Sequence, residues 1–427
     1  MSALYATKRQ ERTESVHAVS SVCVSTPPVL ILNMFYTGLG IARDMAGKGV
    51  RVIGLSADHQ IYGNFTRCCE VRMAPNSQEE PEQLFDMLVR LSSEVDGAVI
   101  FPTRDADVLF LDRFRNELTH HYTLAIPPHE CLMQAMNKHA LAVAAQRAGV
   151  PVPKTMRISS SEDLHKLESE VGFPCVLKPV FAASWRGAES WKKVGARKAI
   201  RIDNLQQLEH EYELLSWVDR EVLAQEWIPG ASDQIVVLGG YVGREGNLTQ
   251  YFTARKLVQS PNDFGTGCVV ESEEIPEIVA LSKRLCKSLR YEGMAEIEYK
   301  YDKATGKFKL IEINTRHWDW HRLGAASSIN LSWTAYCDLT GQPIDRQTKP
   351  TSRAKWIAED ALFIYLLRAL YRGKLNLGDL WRKLSGHRVY GVFAWSDPRP
   401  GVRYCFSEFL PNLAKAIFQS VRGGRLS

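Results

Sequence analysis

Short apolar runs alternate with helical periods at the start of the chain. Val29-Leu30-Ile31-Leu32 reads as a strand, a helical pattern runs on through Ala46, and Val50–Leu55 is a second strand. Gly97-Ala98-Val99-Ile100-Phe101-Pro102 is a later strand that ends in Thr103-Arg104-Asp105 before another helix. Strands alternating with helices predict a parallel sheet whose ligands lie at the strands' C-terminal ends. Thr103 or Asp105 is there a helix N-cap or a substrate contact. Ahead of this, residues 1–27 mix Ser, Thr and charges without period and read as a disordered leader.

The texture changes at about residue 128. Asn137-Lys138 begins a helix, and Gly149-Val150-Pro151-Val152-Pro153 ends it. Cys175–Pro179 is a short strand carrying Lys178 on the side of Val176. Lys178 there meets an anion, or is an ordinary edge-strand charge. Val222–Gly230 is another strand, stopped by Pro229-Gly230, and Thr249–Lys256 sends Arg255 and Lys256 to opposite faces.

Glu298 to Asn314 reads as a hairpin: Ala295–Lys303, the loop Ala304-Thr305-Gly306, then Lys307–Asn314. That register sets Glu298 opposite Glu312, with Asn314 on the same face. Two carboxylates about 5 Å apart repel unless a cation lies between them, and Mg²⁺ suits two carboxylates and an amide oxygen. A hydrated surface hairpin is the alternative.

Composition narrows the class. With 45% hydrophobic and 24% charged residues in 427, the chain reads as a globular protein of several units. Nine cysteines at irregular spacing show neither a CxxC pair nor zinc spacing, which points to a reduced, cytoplasmic setting. No apolar run reaches the roughly 18–20 residues of a spanning helix, and no secretory signal opens the chain. The net charge of +5 is unevenly placed: from Arg346 to Ser427, 15 Lys/Arg face 5 Asp/Glu. Helical patterns at Trp356–Ala358, Ala361–Tyr371, Leu375–Leu384 and Phe409–Val421 fit docking against the body or contact with anionic lipid. No nucleic-acid module accompanies the charge.

Two weaker motifs compete. Gly38-x-Gly40, with Asp58 20 residues past Gly38, invites a dinucleotide reading, but Arg43 stands where the third glycine belongs. His317 and His321, four apart, offer a metal pair without a third ligand; alternatively they are hydrogen-bonded, or take a proton from an amine. Trp318 and Trp320 are then the walls of an acceptor pocket. No Ser-His-Asp or Cys-His constellation is present.

Phe173-Pro-Cys-Val-Leu-Lys178-Pro, Gln225-Glu-Trp-Ile-Pro-Gly230, Glu298 and Glu312-Ile-Asn314-Thr-Arg316, in this order, resemble the ATP-grasp superfamily. Within it, the chain resembles the carboxylate–amine ligases and the carbamoyl-phosphate-synthase-like group, D-aspartate ligase-like proteins among them. The resemblance runs from about Val29 to Gly341. It implies an α/β fold: a Rossmann-like parallel-sheet domain (28–127), a two-lobed ATP-grasp domain (128–345, small lobe about 154–228) and a helical, basic C-terminal region (346–427).

The resemblance also implies roles. Lys138 and Lys178 hold nucleotide phosphates, the backbone of Glu226 and Ile228 meets adenine, and Asp233 meets the ribose. Glu298, Glu312 and Asn314 are the metal ligands, for Mg²⁺ or else Mn²⁺. Arg316 is the catalytic arginine that follows the metal pair, and Arg255 a catalytic basic residue near the transferred phosphate or acyl phosphate. The implied activity is ATP-dependent amide formation from a carboxylate and an amine, through an acyl phosphate. The acceptor is small, or lipid- or sugar-linked, with peripheral contact at the inner membrane surface through 351–427. A silent ATP sensor and an NAD-dependent oxidoreductase are the competitors. Residues 181–191 depart from the family pattern, since its glycine-rich phosphate lid is here Phe181-Ala-Ala-Ser-Trp-Arg-Gly-Ala-Glu-Ser-Trp191 with one glycine.

Overall fold

The computed structural model describes residues 26–95, 97–186, 188–260, 264–344, 353–371, 373 and 376–414. The expected leader lies outside these apart from its last two residues, as does the end of the last helical pattern, from 415.

Five parallel strands open the chain: β1 (Val29–Leu32), β2 (Val52–Ser56), β3 (Glu70–Met73), β4 (Val99–Phe101) and β5 (Thr123–Leu124), in the order β3-β2-β1-β4-β5. β1 is apolar throughout because both its faces are covered. Leu30 and Leu32 enter one core with Ile53 and Ile100, while Val29 and Ile31 enter another with Phe101, Trp318 and Trp356. That second core is shared with the rest of the molecule, so the parallel sheet is welded to the body. After β4, the Asp107 carboxylate accepts the N–H groups of Thr103 and Arg104, and Thr103 Oγ1 donates to Leu32 O. Asp107 thus closes the helix start, which leaves Asp105 available to Arg316.

β6 (Thr155–Ile158), β7 (Cys175–Pro179), β8 (Ile200–Ile202) and β9 (Val222–Glu226) form an antiparallel sheet, β6-β9-β7-β8. Alternation divides β7: Cys175 and Leu177 pack beneath the helices Ser161–Glu170 and Leu205–Ser216, and Val176 and Lys178 face a cavity.

The third sheet holds β10 (Ile235–Gly243), β11 (Asn247–Ser260), β12 (Thr266–Ser272), β13 (Gly293–Asp302), β14 (Lys307–Asn314), β15 (Ala354–Ile357) and β16 (His387–Tyr390). Its order is β14-β13-β10-β11-β12-β15-β16. Ile297, Tyr299 and Ile313 pack with the helix Pro276–Leu289, so Glu296 and Glu298 fall on the opposite, cavity face.

Two expectations need correction. The hairpin loop is four residues, 303–306, because Asp302 pairs with Lys307; its carboxylate accepts Ala304 N and Thr305 Oγ1, and Gly306 has φ +66°. A bulge between Glu298 and Tyr299 shifts the register back, and only through it does Glu298 face Glu312. The C-terminal region is also not wholly helical. Trp356 and Ile357, read as part of a helix, belong to β15, which pairs with β12 instead, and β16 adds to it in parallel. A sheet edge left open there would expose unpaired backbone, which outweighs the helical period of so short a run.

Candidate active site

A cavity of about 390 Å³ lies between the small-lobe sheet and the third sheet. Lys138 enters it from the first turn of the helix Lys138–Arg147, whose start is capped by Asn137 Oδ1. Its Nζ lies 3.9 Å from Glu312 Oε2. Lys178 is buried and donates to the neutral amide Gln225 Oε1 at 2.6 Å. Burial, helped by the charge of Lys138, pulls Lys178 down to about 8. A buried lysine held by an amide is ready to meet an anion.

Across the cavity Lys256 pairs with Glu298, both buried. Burial works against the charge on Lys256, but Glu298 and Glu296 outweigh it and hold the ammonium above its ordinary range. Glu296 is 5% exposed and pushed up to about 8 by burial, Lys256 opposing and Glu298 adding. Asn314 Nδ2 donates to Glu296 Oε2 at 2.8 Å. Arg316 Nε donates to Asp105 Oδ1 at 2.7 Å and Nη1 to His317 O at 2.9 Å.

At the other end, Glu226 lines the cavity at the close of β9. Its N–H donates to Lys154 O, and its carboxylate takes Lys154 N and Lys309 Nζ. Ile228 is buried in the same wall, beside Trp227 and Phe264 with ring centroids 5.8 Å apart. The segment after Lys178 is helical, at Ala182–Arg186 and Ala188–Lys193, and Ser184 Oγ donates to Asp219. It sends Trp185 and Trp191 into the cavity.

The donor set fits Mg²⁺. Glu298 and Glu312 face each other across the strand pair, and Asn314, held through its amide nitrogen by Glu296, keeps its amide oxygen as an acceptor in the same cavity wall. Among the described residues no three His, Cys, Asp or Glu side chains cluster as a cage. Mg²⁺ commonly uses one or two carboxylates and completes its shell with phosphate and water, so a cage is not required.

Eight of the ten expected site residues line this one cavity: Lys138, Lys178, Glu226, Ile228, Glu298, Glu312, Asn314 and Arg316. Two do not. Asp233 is exposed on a short turn, with its carbonyl accepting from Arg255 Nη1, and Arg255 is bound to Glu273. Lys256 holds the cavity position instead. Ala254 pairs with Val237, and Val237 with Glu298, so Lys256, two residues on, shares the face of Glu298. Alternation separates Arg255 from Lys256, but choosing between them needs the strand order. Glu296 was also overlooked, although it stands two residues before Glu298 on the same face.

The histidines move out of the site. His317 Nε2 meets Ser332 Oγ at 3.1 Å and His321 Nδ1 meets Trp318 O at 2.7 Å, both rings 1% exposed. Burial holds His317 well below the usual histidine range, and neither ring lines the cavity. Trp318, Asp319 and Trp320 do line it. Gly40 is a packing glycine: a Cβ there would lie 2.5 Å from His321 Cε1, and one on Gly38 would lie 1.9 Å from Asn33 O. Arg43 turns away to Asp397. The two glycines are thus accounted for by close approach alone.

No family model matches the chain. It is 26% identical over 185 residues to a D-alanine–D-alanine ligase of Pseudomonas putida (strain GB-1), covering 42% of this chain and 54% of that one. It is 22% identical over 293 residues to a D-aspartate ligase of Enterococcus faecium (strain Aus0004), covering 65% and 68%. The chain therefore spans about half the length of the first relative and about two thirds of the second. Its fold is similar to N5-carboxyaminoimidazole synthetase from Staphylococcus aureus, with TM-score 0.63, 15% identity, and coverage of 81% and 86%. The fold is that of the ATP-grasp superfamily. Within it, the sequence likenesses lie with the carboxylate–amine ligases.

Proposed function

We propose that the chain is an ADP-forming ligase that joins a carboxylate to an amine. The observation that carries this is Glu298 facing Glu312 inside a cavity that also holds Lys138, Lys178 and Lys256. A carboxylate oxygen attacks the γ-phosphorus of ATP, the bond to the β-phosphate oxygen breaks, and ADP departs. The amine nitrogen then attacks the acyl carbon, phosphate leaves, and the nitrogen gives up its surplus proton. The three lysines counter the phosphate charge, and Arg316 stands beside the acyl phosphate. The hinge backbone at Glu226 and Ile228 takes the adenine edge. Glu298, Glu312 and Asn314 hold Mg²⁺, which when bound neutralises phosphate oxygens; Mn²⁺ suits the same oxygen donors. Asp233 and Arg255 have no part in this reading.

Purified protein with Mg-ATP and a panel of carboxylates and amines tests it by ADP release. Release that needs both partners is expected. Nucleotide binding without turnover for any pair would favour a silent sensor, a reading that the helices Ala182–Arg186 and Ala188–Lys193, the first tied to Asp219 through Ser184, keep in view.

The finer reading of the acceptor is a lipid- or sugar-linked amine met at an anionic membrane surface. Among the described residues, eight of the fourteen exposed large apolar side chains fall between Leu370 and Leu410, Trp381 at 77% and Trp395 at 88% exposure among them. Arg382, Arg388 and Arg399 are exposed in the same stretch. Aromatic and basic side chains together match the interface of an anionic bilayer. No helix of the described residues is long and apolar enough to cross a membrane. Flotation with anionic vesicles at low salt should carry the protein, and Trp381→Ala with Trp395→Ala should release it; indifference to both changes would remove this partner.

A further inference from the structure

Lys178 differs from its neighbours in the cavity in what holds it. Lys138 lies 3.9 Å from Glu312 Oε2 and Lys256 is paired with Glu298, so each has a carboxylate beside it. Lys178 Nζ instead donates to the amide oxygen of Gln225, and both side chains are 7% exposed in the cavity wall. Strand register puts Gln225 there. On β9 it stands opposite Val176 of β7 on one side and Thr155 of β6 on the other. Val176 and Lys178 share a face, so Lys178 reaches Gln225 diagonally across the strand pair. On its far side Gln225 Nε2 donates to Thr155 Oγ1 at 3.1 Å, and Thr155 Oγ1 donates to Pro153 O at 2.9 Å.

The polarity of this chain is fixed from its far end. The carbonyl of Pro153 can only accept, so it takes the single hydroxyl proton of Thr155. The hydroxyl is then left to accept from the amide nitrogen, and the amide oxygen must face Lys178. A carboxylate at position 225 would also hold the ammonium, but it would neutralise the charge and set an oxygen against a hydroxyl whose proton is committed. An apolar side chain would take away the acceptor that the buried ammonium now has. The amide does neither. Resting on the nucleotide site of the ligase reading, we infer that Gln225 is a positioning residue: it aims the Lys178 ammonium at a nucleotide phosphate and leaves its positive charge unspent. Burial and the charge of Lys138 hold Lys178 at about 8, against Glu312 and Glu298 on the hairpin, so its charge is sensitive to a change of partner.

Titration calorimetry with Mg-ATP at pH 7 and pH 9 tests this on wild type and Gln225→Glu. At pH 7 the variant should bind at least tenfold more weakly, because a carboxylate both neutralises Lys178 and repels phosphate. At pH 9 that defect should shrink severalfold. Wild-type Lys178 must by then regain a proton to meet phosphate, whereas the new carboxylate keeps the ammonium charged. Unaltered affinity at pH 7 overturns the inference, and so does the same loss at both pH values, which would mark Gln225 as structural. Gln225→Met serves if the Glu variant does not melt cooperatively. Without the amide oxygen the ammonium sheds its proton more readily, so the pH above which affinity falls should move below that of wild type; an unmoved onset overturns the inference equally. Should wild type not bind Mg-ATP, the ligase reading fails and takes the inference with it. Wild-type binding of equal strength at pH 7 and pH 9, with ADP release that still needs a carboxylate and an amine, defeats the inference alone.

Discussion

Two of the buried charge clusters among the described residues make a useful contrast, because only one of the two lines a cavity. Asp397, fully buried, is enclosed: its carboxylate accepts from Arg43 Nε, Thr66 Oγ1 and Arg67 N, and its carbonyl accepts from Arg43 Nη2. It pins the C-terminal region to the parallel-sheet domain. Lys178, Lys256, Glu296 and Glu298 are buried too, at 5–8% exposure, but they line a space large enough for a ligand. Burial of charge is therefore no sign of chemistry by itself. What separates the clusters is whether the hydrogen bonds close on protein or leave capacity facing a cavity.

Asp397→Ala gives the largest expected effect, because it strands the buried guanidinium of Arg43. A loss of about 3–5 kcal/mol in unfolding free energy is expected from denaturant titration. Nucleotide affinity measured below the melting transition should stay unchanged. A variant as stable as wild type would show that the enclosed cluster is not structural.

The second effect separates neighbours on one strand. Lys256→Met should lower ADP release by about a hundred- to a thousandfold, the scale of one removed electrostatic contact to a transferring group. Arg255→Met, whose native side chain is held by Glu273 outside the cavity, should change it less than about threefold. The reverse order in steady-state kinetics would restore Arg255 to the site.

The smallest effect is in pH. The ammonium of Lys178 loses its proton at about 8, below the ordinary lysine range. Below that value it is charged and meets phosphate directly. As pH rises past it, binding must first restore the proton, so Mg-nucleotide affinity falls and binding takes up a proton. Titration calorimetry at pH 9 in two buffers of different ionisation enthalpy reads that uptake; none at pH 9 would mean that Lys178 does not meet the nucleotide.

The same contrast explains what was legible in sequence. Residues whose place is set by local pattern were readable: Lys138 behind its Asn137 cap, Lys178 on a short strand, and Glu312, Asn314 and Arg316 as a unit all reach one cavity. The opposition of Glu298 and Glu312 was reached from a three-residue loop, but the four-residue loop and the bulge give it. Long-range placement was not readable. Lys256 owes its position to a strand order, β13-β10-β11, that alternation cannot supply. The histidines looked available at positions 317 and 321, yet Asp44 and Ser332 of distant segments draw them into the interface. β15 forms because the edge of β12 awaits it, and nothing within Ala354–Ile357 announces that edge.

The hairpin bears the most direct measurement. Glu312→Gln keeps the shape of the side chain and removes one carboxylate from the pair that lines the cavity. ADP release with a working carboxylate and amine should fall to background. The melting temperature of the nucleotide-free protein should stay within a few degrees of wild type, and the stabilisation given by Mg-ATP should shrink. Wild-type turnover in that variant would contradict the account and leave Glu298 and Glu312 as ion-pair partners of Lys256 and Lys138 with no metal to hold.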